Sequence, residues 1–145
     1  MEKIINFDMD GTLVDFYGVE NWLDYLMDED TYPYEKAKPL CPLNQFARIV
    51  NQLQRQSWEI NIISWLPRKA SYQYGLRVEK AKRDYLKKHL PSVNFNNIFI
   101  IPYGSPKSQY GNGILFDDEE NNRQEWQGIT FSEENLINIL KSLKE

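Results

Sequence analysis

A short apolar run, Ile4-Ile5-Asn6-Phe7, ends directly in Asp8-Met9-Asp10-Gly11-Thr12-Leu13, and this junction restricts what the chain can fold into. Two acids two residues apart stand where a buried strand ends, and a carboxylate pair is costly to hold there unless something cationic binds it. Gly11 permits a tight turn, and Gly11-Thr12 offers backbone N–H groups and a hydroxyl to an anion. Together these residues read as a site for a divalent metal and a phosphate. Four fixed residues at this spacing arise by chance on the order of once in a thousand chains of this size, so the motif is treated as meaningful.

The rest of the chain alternates between strand and helix patterns. Residues 3–7, 60–64, 98–101, 114–116 and 129–131 read as strands, rich in Ile and Phe. Residues 19–27 read as a short helix with Trp22, Leu23 and Leu26 on one face, and 28–33 as a break. Residues 43–58 form an amphipathic helix with Phe46, Ile49, Val50 and Leu53 at helical spacing after Pro42. Residues 70–90 form a long helix with Lys and Arg on its outer face, closed by Pro91. Residues 132–143 form the closing helix, with Ser132 as N-cap and Glu133 and Glu134 in its first turn. Trp126 reads as packing on the last helix turn. This alternation predicts an α/β fold, a three-layer doubly wound parallel sheet with helices on both faces. Such sheets bind ligands beyond the carboxyl ends of their strands. The polar residues there are Asp8, Asp10, Ser64, Lys107, Asp117 and Asp118.

Length and composition fit one domain, residues 1–145, with a real core: 145 residues, 41% hydrophobic and 26% charged. No apolar run is long enough to span a bilayer. The Met1-Glu2-Lys3-Ile4 start enters a strand at once, which predicts no signal or transit peptide. Cys41 is the sole cysteine, so no internal disulfide forms and a reducing, cytoplasmic setting is expected; flanked by Leu40 and Pro42, it reads as structural. The net charge of −4 opposes broad binding to long nucleic acid, though not to a small phosphorylated substrate. His89 closes a basic helix terminus and reads as structural.

The ordered set of an Asp-x-Asp-Gly-Thr loop, a hydroxyl after the second strand, a lysine before the fourth and an acid pair after it resembles the four-motif signature of the haloacid dehalogenase (HAD) superfamily. The motifs run from Asp8 to Asp118, nearly the whole chain. The resemblance implies a HAD-like, Rossmannoid fold and an aspartate-nucleophile phosphohydrolase. Carried over, Asp8 is the nucleophile that forms an aspartyl-phosphate, and Asp10 is the acid/base. Asp8, Asp117 and the backbone carbonyl of Asp10 would hold Mg²⁺, an ion that favours oxygen ligands; Asp118 is a second ligand or an orienting partner. Ser64 would hydrogen-bond the phosphoryl group, and Lys107 would balance the charge of nucleophile and phosphate. Taken alone, Ser64 reads as an N-cap, Lys107 as a solvated loop lysine and Asp117-Asp118 as the start of a helix. The 102–112 connection is short for a crossover helix, a departure from the family layout.

The resemblance also makes residues 15–42 a minimal cap, with Phe16, Tyr17, Trp22, Tyr25, Tyr32 and Tyr34 in it. Asp8 to Phe16 is similar to the start of the 5′(3′)-deoxyribonucleotidase branch. That branch has a larger cap and another residue at the Thr12 position, so only the substrate class, a nucleotide, is carried over. Gly11 and Thr12 are candidate phosphate contacts, with Thr12 capping the loop; Phe16, Tyr17 and Trp65 could stack a base or pack the cap. Three functions follow: a Mg²⁺-dependent phosphomonoesterase on a nucleotide or other small ester; a nucleic-acid-end phosphatase using a basic strip of Arg68, Lys69, Arg77, Lys80 and Lys82; or a non-catalytic binding module that keeps the fold.

Overall fold

The computed structural model describes residues 2–145. Met1, where the reading of a leaderless start begins, lies outside the described residues. Five strands, β1 (Ile4–Phe7), β2 (Glu59–Trp65), β3 (Asn97–Ile101), β4 (Ile114–Phe116) and β5 (Thr130–Phe131), form one sheet in the order β3-β2-β1-β4-β5. Every neighbouring pair is parallel, so all strands end at the same sheet edge. The chain leaves central β1 for β2 on one side and enters β4 on the other. The ends of β1 and β4 therefore flank the switch point, where a crevice opens in sheets of this kind.

Side-chain alternation divides the core. Ile5, Phe7, Ile60 and Ile62 share one face with Phe46, Ile49, Val50 and Leu53 of α3 (Leu43–Arg55) and Leu136 and Leu140 of α6 (Leu136–Leu143). Phe7 packs edge-on to Phe46 at 5.0 Å and stacks on Phe116 at 5.2 Å, which anchors the strand that ends in Asp8.

The opposite face is built differently. Register sets Asn6 beside Asn61 and Asn61 beside Asn97. Asn61 Nδ2 donates to Asn6 Oδ1 at 3.0 Å, and Asn97 Nδ2 donates to Asn61 Oδ1 at 3.1 Å. Asn6 Nδ2 in turn donates to the Asn112 carbonyl at 2.7 Å. The ladder satisfies polar groups that would otherwise be costly to bury. Beside it, Ile63, Ile101, Leu115 and Trp126 form a small apolar cluster. Trp126 does not pack on the last helix turn: its Nε1 donates to the Gly113 carbonyl at 2.8 Å and its ring covers this face. Gly113 closes against β1 with φ +86°, where a Cβ would run into the Ile4 carbonyl oxygen, so only glycine fits.

Several helix boundaries differ from the sequence reading. The first helix, α1, covers Trp22–Met27, preceded by a 3-10 turn at Phe16–Gly18. A second helix, α2 (Tyr32–Lys36), begins inside the expected break; Pro33 sits in its first turn, where its missing N–H costs nothing. The long helix α4 covers Tyr72–His89, with Ser71 Oγ accepting from Tyr74 N as its N-cap. The last helix starts at Leu136 after Asn135 in the left-handed region, so Ser132 is not its N-cap; Ser132 Oγ instead accepts from Glu134 N in a local turn. The short α5 (Glu120–Glu125) follows the acid pair.

The 15–42 segment is fastened to α4. Phe16 and Tyr34 pack on Tyr74, Val78 and Ala81. The Glu29 carboxylate accepts from Ser71 N and Ser71 Oγ at 2.9 and 2.8 Å, and Tyr74 OH donates to the Asp30 carbonyl at 2.8 Å. No helix among the described residues is long and apolar enough to cross a membrane.

Cys41 is a free, half-buried thiol packed against the main core. Burial pushes its pKa up to about 11. The reactive thiolate is correspondingly scarce at pH 8, and alkylation is expected to run about 100-fold slower than for an exposed thiol. Comparing iodoacetamide labelling rates in the native and urea-unfolded protein tests this; equal rates would contradict it.

Candidate active site

Asp8 follows the last residue of β1, and Asp117 follows the last residue of β4, so the register that aligns Phe7 with Phe116 also brings the two acids together. Carboxylate oxygens of Asp8, Asp117 and Asp118 lie within 4.8 Å of one another. Asp10 is on the same loop, but its side chain points to a different partner.

Lys107 lies among the acids, its side chain only 1% exposed. Its Nζ donates to Asp8 Oδ1 at 2.9 Å and to Asp117 Oδ2 at 2.7 Å. Burial opposes its charge, but Asp8 and Asp117 outweigh burial and raise its pKa, so it stays an ammonium. The short β3–β4 connection reaches the site as a 3-10 turn, Lys107–Gln109, rather than a helix. Two contacts hold that turn. Trp65 Nε1 donates to the Ser105 carbonyl at 2.9 Å, and Ser108 donates from its backbone N and its hydroxyl to the Glu125 carboxylate.

Thr12 is buried and links the two sides of the site. Its Oγ1 donates to Asp8 Oδ2 at 3.2 Å and accepts from Asp118 N at 3.1 Å. Gly11 has φ +84°, and a Cβ there would run into the Asp118 carboxylate. The expectation that Gly11 and Thr12 present N–H groups to a phosphate is not met: Gly11 N donates to the Val14 carbonyl and Thr12 N to the Met9 carbonyl. Turn formation uses these donors, and the two residues serve instead to bring the acid loop against Asp118.

Asp117 is completely buried. It accepts from Lys107, Asn122 Nδ2 and Glu119 N. Asp118 is only partly buried, and burial together with the nearby Asp8 carboxylate pushes its pKa up to about 8. Burial and Asp8 also raise the Asp117 carboxyl, against the pull of Lys107. Three carboxyl groups crowd around one ammonium, and burial together with that crowding raises Asp117 and Asp118 in the absence of a bound cation. An all-oxygen donor set in which the acids repel one another fits a hard divalent cation. Asp118 presents the freer carboxylate, whereas the sequence analysis favours Asp117 as the direct ligand.

Sequence reasoning missed one residue. Lys82, assigned there to an exposed basic strip, is 1% exposed. Its Nζ donates to Asp10 Oδ2 at 3.0 Å, to Ser64 Oγ at 2.7 Å and to the Trp65 carbonyl at 2.7 Å. The signal was present in its position. The buried face of α4 runs Tyr74, Val78, Ala81, Lys82, Tyr85 and Leu86, and a lysine in an apolar stripe needs a buried partner. The Asp10 carboxyl is raised by burial and by Asp8 in spite of Lys82.

Ser64 lies within β2, so it is not a helix N-cap. It has no exposed surface, and its Oγ faces Lys82. Ser64 does not line the cleft, and its hydroxyl accepts from Lys82 Nζ.

Asp8, Asp10 and Lys107 open onto a cleft of about 540 Å³. Tyr17, Trp22 and Trp65 also line it, with Arg68 and Lys69 at its edge. Phe16 lines the cleft but is nearly all buried against Tyr34, 4.6 Å between ring centres, so it packs the cap. Tyr17 is 49% exposed and stands edge-on to Phe16 and Trp22. Trp65 has its indole N–H committed to Ser105 and its ring facing Lys107 Nζ at 5.6 Å.

No family model matches this sequence, and no curated protein does. Among solved structures the chain is similar to the D,D-heptose 1,7-bisphosphate phosphatase from Burkholderia thailandensis, at 10% identity and a TM-score of 0.49, over 85% of this chain and 70% of that one. At that level the likeness carries no weight for activity, and the functional argument rests on the site itself.

Proposed function

We propose that this chain is a phosphomonoesterase of the HAD type that works through an aspartyl-phosphate on Asp8. The supporting observation is the placement of Asp8. Its carboxylate lines the cleft, fixed by Lys107 on one oxygen and Thr12 on the other, with Asp10 beside it. An Asp8 oxygen attacks phosphorus as the ester P–O bond breaks. Asp10, protonated, gives its proton to the leaving oxygen. Asp10, now a carboxylate, takes a proton from water, which attacks the acyl phosphate and releases inorganic phosphate and free Asp8. Lys107 keeps its proton throughout and offsets charge on Asp8 and the phosphoryl group.

Mg²⁺ would be held by Asp8 and Asp118, with Asp117 behind them, and would neutralise charge so that an anionic nucleophile can approach an anionic phosphate. The cleft volume suits a small ligand, and the exposed Tyr17 ring beside the acids supports a planar group on the substrate, such as a nucleobase. Phe16 and Trp65 are already committed to packing and to Ser105. Removing Lys82 from the surface basic strip weakens the nucleic-acid-end reading, because four exposed cations remain against an overall charge of −4.

Phosphate release is expected from at least one member of a panel of nucleoside monophosphates, sugar phosphates and a 3′-phosphorylated oligonucleotide. It should require Mg²⁺, be abolished by EDTA and favour nucleotides. A preference for the oligonucleotide that weakens steeply with salt would instead indicate an end phosphatase. No release from any member would transfer support to the binding-module reading.

A further inference from the structure

We propose that Lys82 is a positioning residue for Asp10, fixing its carboxylate to strand β2 and to the cap so that one oxygen is left free to exchange a proton in the cleft. The inference rests on the phosphatase reading above. An ammonium has three donors, and those of Lys82 meet three acceptors: Asp10 Oδ2, Ser64 Oγ and the Trp65 carbonyl. The Tyr34 ring of α2 closes another side, 5.3 Å from Nζ. No donor remains for a ligand, so Lys82 acts through Asp10 and does not bind substrate.

Each partner belongs to a different part of the fold. Asp10 is on the loop after β1, Ser64 and Trp65 are at the end of β2, and Tyr34 is in the cap. Lys82 reaches them from the middle of α4. Asp10 Oδ2 is held from the protein side, whereas Oδ1 makes no hydrogen bond among the described residues and Asp10 lines the cleft. Oδ1 is thus the atom placed for proton exchange with a leaving oxygen or a water. An aliphatic side chain would fill the same buried stripe without removing an ammonium from water. Proton transfer requires a donor within hydrogen-bond reach of the reacting atom, so a small displacement of Asp10 lowers the rate when the leaving group needs a proton.

The leaving group therefore distinguishes positioning from general support of the fold. The best ester found in the substrate panel, an alkyl phosphate, is compared with 4-nitrophenyl phosphate, whose leaving group departs without protonation. Values of kcat/KM report events up to the first departure. Lys82→Met is expected to lower kcat/KM for the alkyl ester at least about 10-fold more than for the nitrophenyl ester, in the same direction as Asp10→Asn. Lys82→Arg keeps the charge but cannot offer three converging donors to the same acceptors, and it should show the same selective loss. It carries the test if Lys82→Met fails to fold. Equal losses on both esters, or none, in the folded variant would overturn the proposal. Failure of the wild-type protein to hydrolyse either ester would instead overturn the phosphatase reading on which it rests.

Discussion

Replacing Asp8 with Asn is expected to lower phosphomonoester hydrolysis at least about 1000-fold while the fold persists, because an amide oxygen cannot form the acyl phosphate. Asp117 cannot take its place, being enclosed by Lys107, Asn122 and the Glu119 N–H. The substituted amide keeps an oxygen for Lys107 or Thr12 and removes one of three acids crowded within 4.8 Å. In EDTA the variant should therefore melt at the same temperature as the wild type or above it. The response to Mg²⁺ should reverse that order. A cation at about 100 times its Kd stabilises a folded protein by about 2.7 kcal/mol, or roughly 5–10 °C for a chain near this size. The wild type should gain that shift, and Asp8→Asn should lose most of it. Hydrolysis assays and melting curves with Mg²⁺ or EDTA measure both effects. Wild-type turnover by Asp8→Asn would rule out the covalent route. An unchanged Mg²⁺ shift would remove Asp8 from the cation site.

The parts of the site that were legible before the structure were those coded locally. Asp8, Asp10, Asp117 and Asp118 stand directly after apolar runs, and a parallel sheet places all strand ends at one edge. Lys107 could be singled out because no other lysine stands between β3 and β4. Its reach could not be read, since it depends on Trp65 Nε1 and Glu125 holding a 3-10 turn, contacts between positions 17 or more residues apart. Lys82 was hidden for a related reason. Its helix carries many cations, and only the three-dimensional direction of one of them shows that it faces Asp10, 72 residues earlier. Ser64 stands out by position as a phosphate contact, but that its hydroxyl accepts from the Lys82 ammonium, 18 residues on, is visible only in three dimensions. The α/β sheet with its helices was legible from the alternation of patterns, but the make-up of its second face was not. That face carries an asparagine ladder and the Trp126 cluster, which depend on strand register and have no helical periodicity.

Lys107→Met is expected to be the most destabilising single change in the site, and its effect should depend on the cation. The Lys107 ammonium is the only one within hydrogen-bond distance of Asp8 and Asp117 among the described residues, and both it and Asp117 are enclosed. Methionine would fill the same channel beside the Trp65 ring but leave both carboxylates without their charged partner. Breaking a buried ion pair from one side costs about 3–5 kcal/mol. Urea unfolding in EDTA should show a loss of that size, together with a fall in kcat of at least about 100-fold from the missing charge stabilisation. Mg²⁺ should restore more stability to the variant than it adds to the wild type, because the cation then faces three acids that no ammonium partly neutralises. It should not restore turnover, since a cation held at Asp8 and Asp118 as proposed would not replace the Lys107 donor on Asp8 Oδ1. Unfolding of Lys107→Met in EDTA at the wild-type urea midpoint would mean that the acids are not charged together in the cation-free protein, and the electrostatic account of the site would have to be abandoned.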